Sequence, residues 1–228
     1  MKPVKLEGFR TVRQTEGHTC GYCAVCAVYR YYGLDTRKLR LRERLGTDNS
    51  LPYNTPLRDK IEAFLHNNGL EGLRGTNPMD ILATLYWHGF DSACKVEPYD
   101  DYRPALQTHL KSGHPALVLS LSGEPHWVVV TGMDDGGVWI ADSSGYLDPD
   151  GRGRHRYRLT HDDFGSAASG VVLVKRGKRA CVRDMTAANF AYHYARGAGF
   201  GLACVGKSVP TWISRLLSGL ECGSGRSG

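Results

Sequence analysis

The stretch that most constrains this chain is Val12–Gly33, VRQTEGHTCGYCAVCAVYRYYG. Cys20-Gly21 opens a predominantly apolar run, Ala24–Tyr32, and Gly33 closes it. Such a run reads as a buried helix, Gly21–Tyr32, fed by a loop, with a thiol where the helix starts. Unpaired backbone N–H groups and the helix dipole favour negative charge at that end, so the position suits a nucleophilic thiolate.

A thiolate that attacks a carbonyl needs a base and a donor for the oxyanion. Gln14, six residues before Cys20, carries an amide able to donate. The base is expected to be a histidine distant in sequence, and His126 in PHWVVVTGMDDGGVWIAD is the candidate. It precedes the run Val128–Thr131, a turn at Asp134–Gly137 and a second run, Val138–Ala141, that ends at Asp142. Asp-Gly between two such runs signals a hairpin. A hairpin sets the start of its first strand beside the end of its second, so His126 and Asp142 are expected neighbours, with Asp142 orienting the imidazole.

Other readings of the same residues compete. Cys23 is a rival nucleophile, although the distance from Gln14 favours Cys20. Cys20, Cys23 and Cys26 spell C-x-x-C-x-x-C, but the fourth cysteine and proline of an iron–sulfur run are missing and no second pair completes a zinc site, so no metal or cofactor is expected. His18 is too close along the chain to Cys20 for in-line proton transfer. Asp134 and Asp135 fit the hairpin turn. Ser143 and Ser144 lack a nucleophile elbow and read as loop. Trp127 either shields the imidazole or packs in the sheet. Asp148 and Asp150 hint at calcium without the register of a calcium hand, and read as a turn.

The 228 residues suffice for one domain and an appendage. Seven cysteines without an N-terminal apolar signal point to free thiols in a reducing compartment, and hence to a cytoplasmic protein, with signal-less export as the exception. The net charge of +6 is concentrated in the last 53 residues, where eight Lys/Arg face two Asp/Glu. Residues 1–175 are therefore near neutral and are not expected to bind nucleic acid.

Helices are expected at Leu34–Gly46, Pro56–Asn68, Met79–Gly89 and Tyr102–Ser112. Strands are expected at Phe90–Val96, Ala116–Leu121, the hairpin, His155–Leu159 and Val171–Val174, with Thr160–Phe164 as a turn. Helices first and an antiparallel sheet second argue α+β. Residues 176–228 read as a separate basic, Gly-rich extension. Its stretch Ala187–Val205 is either a membrane-surface segment or an extra helix packed on the domain or docking a partner; its glycines weigh against a stable amphipathic helix. Thr211–Leu217 reads as a weak helix and Gly223–Gly228 as disordered.

Taken together, Gln14, Cys20-Gly21, Tyr31-Tyr32-Gly33, His126, Gly132, Asp134 and Asp142 resemble the papain-like cysteine peptidases that cleave double-glycine leader peptides, often as the N-terminal domain of bacteriocin export transporters. The segment LKSGHPALVLS resembles that family's approach to the histidine strand, and the resemblance covers roughly Val12–Lys175. It implies a papain-like fold, an N-terminal helical half packed on a C-terminal antiparallel β-sheet. It also implies a bacterial cysteine peptidase with Cys20, His126 and Asp142 as triad, Gln14 at the oxyanion, and a peptide or protein substrate. Tyr22 and Cys23 depart from the small residue or proline usual after Cys-Gly. With no transporter domain following, the chain reads as a stand-alone enzyme. The same fold hosts deamidases, acyltransferases and amidases acting on host proteins, ubiquitin-like tails or cell-wall peptides, and degenerate relatives that only bind substrate.

Overall fold

The structure is a computed structural model and describes residues 3–15, 19–39, 41–45, 76–121, 125–177 and 187–204. The expected helices Pro56–Asn68 and Thr211–Leu217, the tail Gly223–Gly228 and His18 lie outside the described residues.

Helix α1 (Cys20–Tyr31) is the axis of the molecule. Nine of its 12 residues are buried. It ends as its sequence dictates: Gly33 takes φ +77°, its N–H reaches Arg30 O at 3.0 Å, and the Leu34 N–H reaches Tyr29 O at 2.9 Å. That is a Schellman stop, which only a residue without Cβ enters at low cost. The expected helix Leu34–Gly46 is instead a 3-10 turn (Thr36–Lys38) and a single turn, α2 (Leu41–Arg44). The Asp35 carboxylate accepts the Arg37 N–H and starts the 3-10 turn, dividing the segment.

Helix α3 (Pro78–Trp87) begins at Asn77, whose side chain accepts the Asp80 N–H at 2.9 Å, with Pro78 in the first turn. Helix α4 (Tyr99–Lys111) starts three residues before its apolar periodicity. Pro98 and the first-turn Asp100 and Asp101 supply the start signal, and His109 and Lys111 close the opposite end of the dipole.

Seven antiparallel strands form one sheet in the order β2 (Phe90–Lys95), β7 (Ala168–Arg176), β3 (Ala116–Ser120), β4 (His126–Asp134), β5 (Gly137–Asp142), β6 (Arg156–Leu159). The extended N-terminal lead-in contributes β1 (Val4–Lys5), which pairs with the far end of β4. Gly132 permits this contact, because a Cβ there would lie 2.4 Å from Val4 O. Every residue of β3 is buried, and β4 is buried from His126 to Met133, so the sheet centre is covered on both faces. Where a turn was expected after β6, the chain forms helix α5 (His161–Ala167). Thr160 accepts the Asp163 N–H and donates to the Asp163 carboxylate, a cap signal hidden by the shortness of the segment.

Helix α6 (Ala187–Cys204) packs against α3, so the described part of the extension takes the arrangement of an extra helix on the domain. One of its glycines, Gly197, serves contact. A Cβ on Gly197 would lie 2.3 Å from Met79 Cα, so the two backbones meet there, flanked by Tyr194 and Ala198 against Met79 and Ala83. The His193 ring stacks on Tyr86 at 3.8 Å, and the Arg196 guanidinium donates to Ser92 O at 3.0 Å. No helix among the described residues is long and apolar enough to cross a membrane.

Gly197→Val is therefore expected to lower stability by roughly 1–3 kcal/mol in a denaturant melt, by forcing α3 and α6 apart. Gly199→Ala, where a Cβ meets nothing within 4 Å, is expected to raise it by up to about 1 kcal/mol through helix propensity alone.

Candidate active site

Cys20 is the first residue of α1 and is 7 % exposed. The glycine after it is required by packing. A Cβ on Gly21 would lie 2.5 Å from the Cβ of Thr76, the residue that leads into α3. The Trp127 indole N–H donates to Thr76 O at 2.9 Å and holds that segment against the helix start. Trp127 thus packs in the sheet and anchors the Thr76 segment, with Phe200 of α6 beside it at 6.4 Å.

His126 and Asp142 do meet. His126 Nε2 lies 2.7 Å from Asp142 Oδ1. Their meeting depends on a β-bulge. Near the turn, β4 and β5 pair Met133 with Val138 and Gly132 with Trp139. Beyond the extra residue, Thr131, the register slips by one and pairs Val130 with Ile140 and Val128 with Asp142. Without the slip Asp142 would face Val129 and share a sheet face with Trp127. With it, Asp142 shares a face with Val128 and His126, one diagonal step away. The bulge is fixed by its own polar groups: Thr131 O accepts the Leu6 N–H at 2.7 Å, and its hydroxyl donates to Trp139 O at 3.4 Å.

Asp142 is fully buried. Oδ1 also accepts the Ser144 N–H at 2.9 Å and the Ser144 hydroxyl at 3.1 Å, while Oδ2 accepts the Tyr157 hydroxyl at 2.8 Å and the Leu147 N–H at 3.2 Å. Burial by itself raises this carboxyl's pKa. The hydrogen bond and charge of His126 and the two N–H donors outweigh it and hold the group well below the usual carboxylate range. The Tyr157 phenol is pushed far up by burial and by the adjacent carboxylate, so it stays a donor.

For His126 burial again acts first, lowering the pKa. Asp142 and the hydrogen bond and charge of Cys20 overcome that and lift the imidazole to about 9. Nε2 lies against Asp142 and the Ser144 hydroxyl, at 2.7 and 3.2 Å, which leaves Nδ1 as the nitrogen open to the thiol. Tyr146, half exposed, sets its ring against the imidazole at 5.6 Å. Gln14 is tied to the same site: its N–H donates to Ser143 O at 3.1 Å, and its Oε1 accepts the Ser143 hydroxyl at 2.8 Å. That leaves the amide nitrogen to donate elsewhere. Cys23 and Cys26 lie on successive turns of α1, and burial pushes the Cys23 thiol up to about 11 and raises Cys26 as well.

Ser143, Ser144 and Tyr157 belong to the site although sequence reading passed over them. Continued past the last strand pair, the slipped register sets position 144 opposite His126, so the spacing held the signal for Ser144 once the bulge was known. Asp134 sits in the hairpin turn, as expected, accepting from the Gly136 N–H and from Arg158. Asp148 and Asp150 are bridged by the Arg154 guanidinium at 2.8 and 2.6 Å, which makes them a loop brace.

The chain that carries this sulfur, imidazole and buried carboxylate also matches a known family by sequence. The model of the peptidase C39-like family matches residues 6–164. The chain belongs to that family. No curated protein sequence matches this C39-like chain. Among solved structures it is similar to a double glycine motif protease from an AMS/PCAT transporter in complex with the leader peptide. Identity there is 14 %, 77 % of this chain and 99 % of that one are covered, and the TM-score is 0.50. It is also similar to a C39-like peptidase from Bacillus anthracis, at 13 % identity, 78 % and 100 % coverage and a TM-score of 0.51. At such identities the likeness is one of fold, and it places the chain in the α+β, papain-like C39 architecture.

The pKa shifts fix a sign for stability against pH. His126 titrates near 9 when folded, above the unfolded value of about 6.5. Its contribution is complete below about pH 6.5 and is lost as pH rises toward 9. Asp142 runs oppositely: its contribution is present above an unfolded value of about 3.9 and is lost as pH falls below it. Thermal melts are expected to show falling stability between about pH 6.5 and 9. In Asp142→Asn that slope should flatten, because burial then dominates the imidazole.

Proposed function

We propose that this chain is a cysteine peptidase that cleaves a peptide bond through a thioester on Cys20. The observation that carries the reading is the buried His126–Asp142 contact at 2.7 Å, with Cys20 near enough to the same imidazole to help raise its pKa. An imidazole titrating near 9 is protonated at neutral pH, the partner a thiolate needs. Cys20 Sγ attacks the carbonyl carbon, and the Gln14 amide and the Cys20 backbone N–H receive the oxyanion. Collapse expels the amine, which takes its proton from His126. Water, deprotonated by His126, then hydrolyses the thioester, expelling the Cys20 thiolate beside the imidazolium and so restoring the starting pair. Asp142 keeps the ring oriented throughout, and Tyr157, Ser144 and Leu147 keep Asp142 ionised.

The substrate is read as a leader peptide cut after Gly-Gly. Support comes from the double-glycine protease of like fold described with its leader peptide, and from steric logic: residues without side chains pass closest to a nucleophile recessed to 7 % exposure.

Cys20→Ala is expected to abolish cleavage of a Gly-Gly peptide with the melt unchanged, and Cys23→Ala to retain it. Gln14→Ala should lower kcat by about 10²–10³. In the wild type kcat/KM should fall as pH passes about 9 and the imidazolium is lost. Chromatography with mass detection reads each outcome; normal turnover by Cys20→Ala would overturn the proposal.

A further inference from the structure

A groove runs along the outside of the site, between the lead-in 5–13 and the loop that enters β6. It consists of two adjoining hollows, of about 350 and 550 Å³, that share Arg10 and Arg156. Four exposed arginines line it: Arg10, Arg13, Arg152 and Arg156. Among the described residues none of them has an ion-pair partner. Arg154 also lines it, but its charge is spent on Asp148 and Asp150. Among the described residues Glu7 is the one carboxylate in the lining, offset by Lys5. Guanidinium groups gathered in one concavity without an ion-pair partner among the described residues repel one another, and no contact in the sheet's packing accounts for them there.

Both walls connect to the catalytic constellation. Arg13 precedes Gln14. On the other wall His155 O accepts the Asp142 N–H at 3.0 Å and the Thr11 hydroxyl at 3.3 Å, and the His155 ring reaches Asp142 O at 3.0 Å. All four arginines line the larger hollow and two of them, Arg10 and Arg156, also line the smaller, so the positive charge reaches over both, which suits a chain carrying several carboxylates better than a single anion. Guanidinium forks pair bidentately with carboxylates. A single strand of nucleic acid would be expected to stack its bases on exposed aromatic rings, and the aromatic ring in the lining, Phe9, is 1 % exposed.

We infer that this arginine groove binds an acidic segment of the polypeptide substrate and steers it to the cleft beside Gln14 and Asp142. The inference rests on the peptidase reading for its consequence, while the groove's binding is measurable without turnover. Acidic-motif capture by arginine clusters is a recurring recognition mode, and at exposed positions it is weakened by salt.

The test uses the full chain carrying Cys20→Ala and a fluorescein-labelled glutamate-rich peptide, with its glutamine counterpart, followed by anisotropy. The glutamate peptide is expected to bind and the glutamine peptide to bind at least about tenfold more weakly, with affinity falling as salt rises. Arg10→Glu and Arg152→Glu should each weaken binding about tenfold, and Lys111→Glu, an equal charge change elsewhere, should not. Melts of each variant confirm that the fold is retained. Equal binding of both peptides, indifference to the groove reversals, or displacement of the peptide by an equimolar oligothymidylate strand would each overturn the inference. Binding that holds while the wild type cleaves nothing would instead count against the peptidase reading and leave the groove standing.

Discussion

A carboxylate with no exposure to solvent, Asp142, sits where β5 ends, and the surrounding chain is arranged to keep it charged. Removing such a group from water costs several kcal/mol unless donors replace the lost hydration. Here the donors are the His126 ring, the Tyr157 phenol, the Ser144 hydroxyl and the N–H groups of Ser144 and Leu147. They come from β4, from β6 and from the loop after β5. One charge therefore joins three elements, and loss of any donor strands part of a buried anion. The same contacts raise the imidazole toward 9. Fold stability and the state of the base are two readings of one electrostatic arrangement.

That arrangement is possible only because of a parity change in the hairpin. A strand alternates its side chains, so a slip of one residue exchanges every face. Thr131 supplies the slip, and the lead-in strand β1 helps to hold it, since Leu6 donates to the displaced carbonyl and Gly132 lets β1 approach. The N-terminal segment is thus coupled twice to the site: through the bulge that brings Asp142 to His126, and through Gln14, which Ser143 holds in place.

How much of this could be read from the sequence depended on the range of the cause. The helix after Cys20, its glycine stop and the hairpin are local, and each appears in the structure where its residues predict it. The neighbourhood of His126 and Asp142 was inferred from an unbroken hairpin and holds for a different reason, since an unbroken register would have put them on opposite faces. Tyr157 and Ser144 were missed because their roles come from pairing across β5 and β6 and from the loop beyond, which no local pattern announces. Along the sequence alone, the glycines of α6 read as helix weaknesses. Met79 decides the role of Gly197, more than a hundred residues earlier in the chain, and spacing along α6 alone cannot disclose it. Helix α5 failed for the opposite reason: its cap was local and present, but so short a segment reads as a turn.

Three cysteines follow one another at intervals of three residues in the first half of α1, and the structure separates them by what each faces. Cys23 and Cys26 are turned into the core, where burial favours the neutral thiol and lifts Cys23 to about 11. A thiol in that state is a weak nucleophile at neutral pH. Cys20 faces an imidazole whose other nitrogen is already committed to a buried carboxylate. Nucleophilicity is thus assigned by position along the helix: one turn deeper, the same sulfur loses the imidazole that would accept its proton. On the proposed reading the Cys-x-x-Cys spacing therefore needs no second reactive sulfur, and Tyr22, which follows the Cys-Gly pair, meets the Arg42 guanidinium at 5.4 Å and leaves the helix start to Cys20.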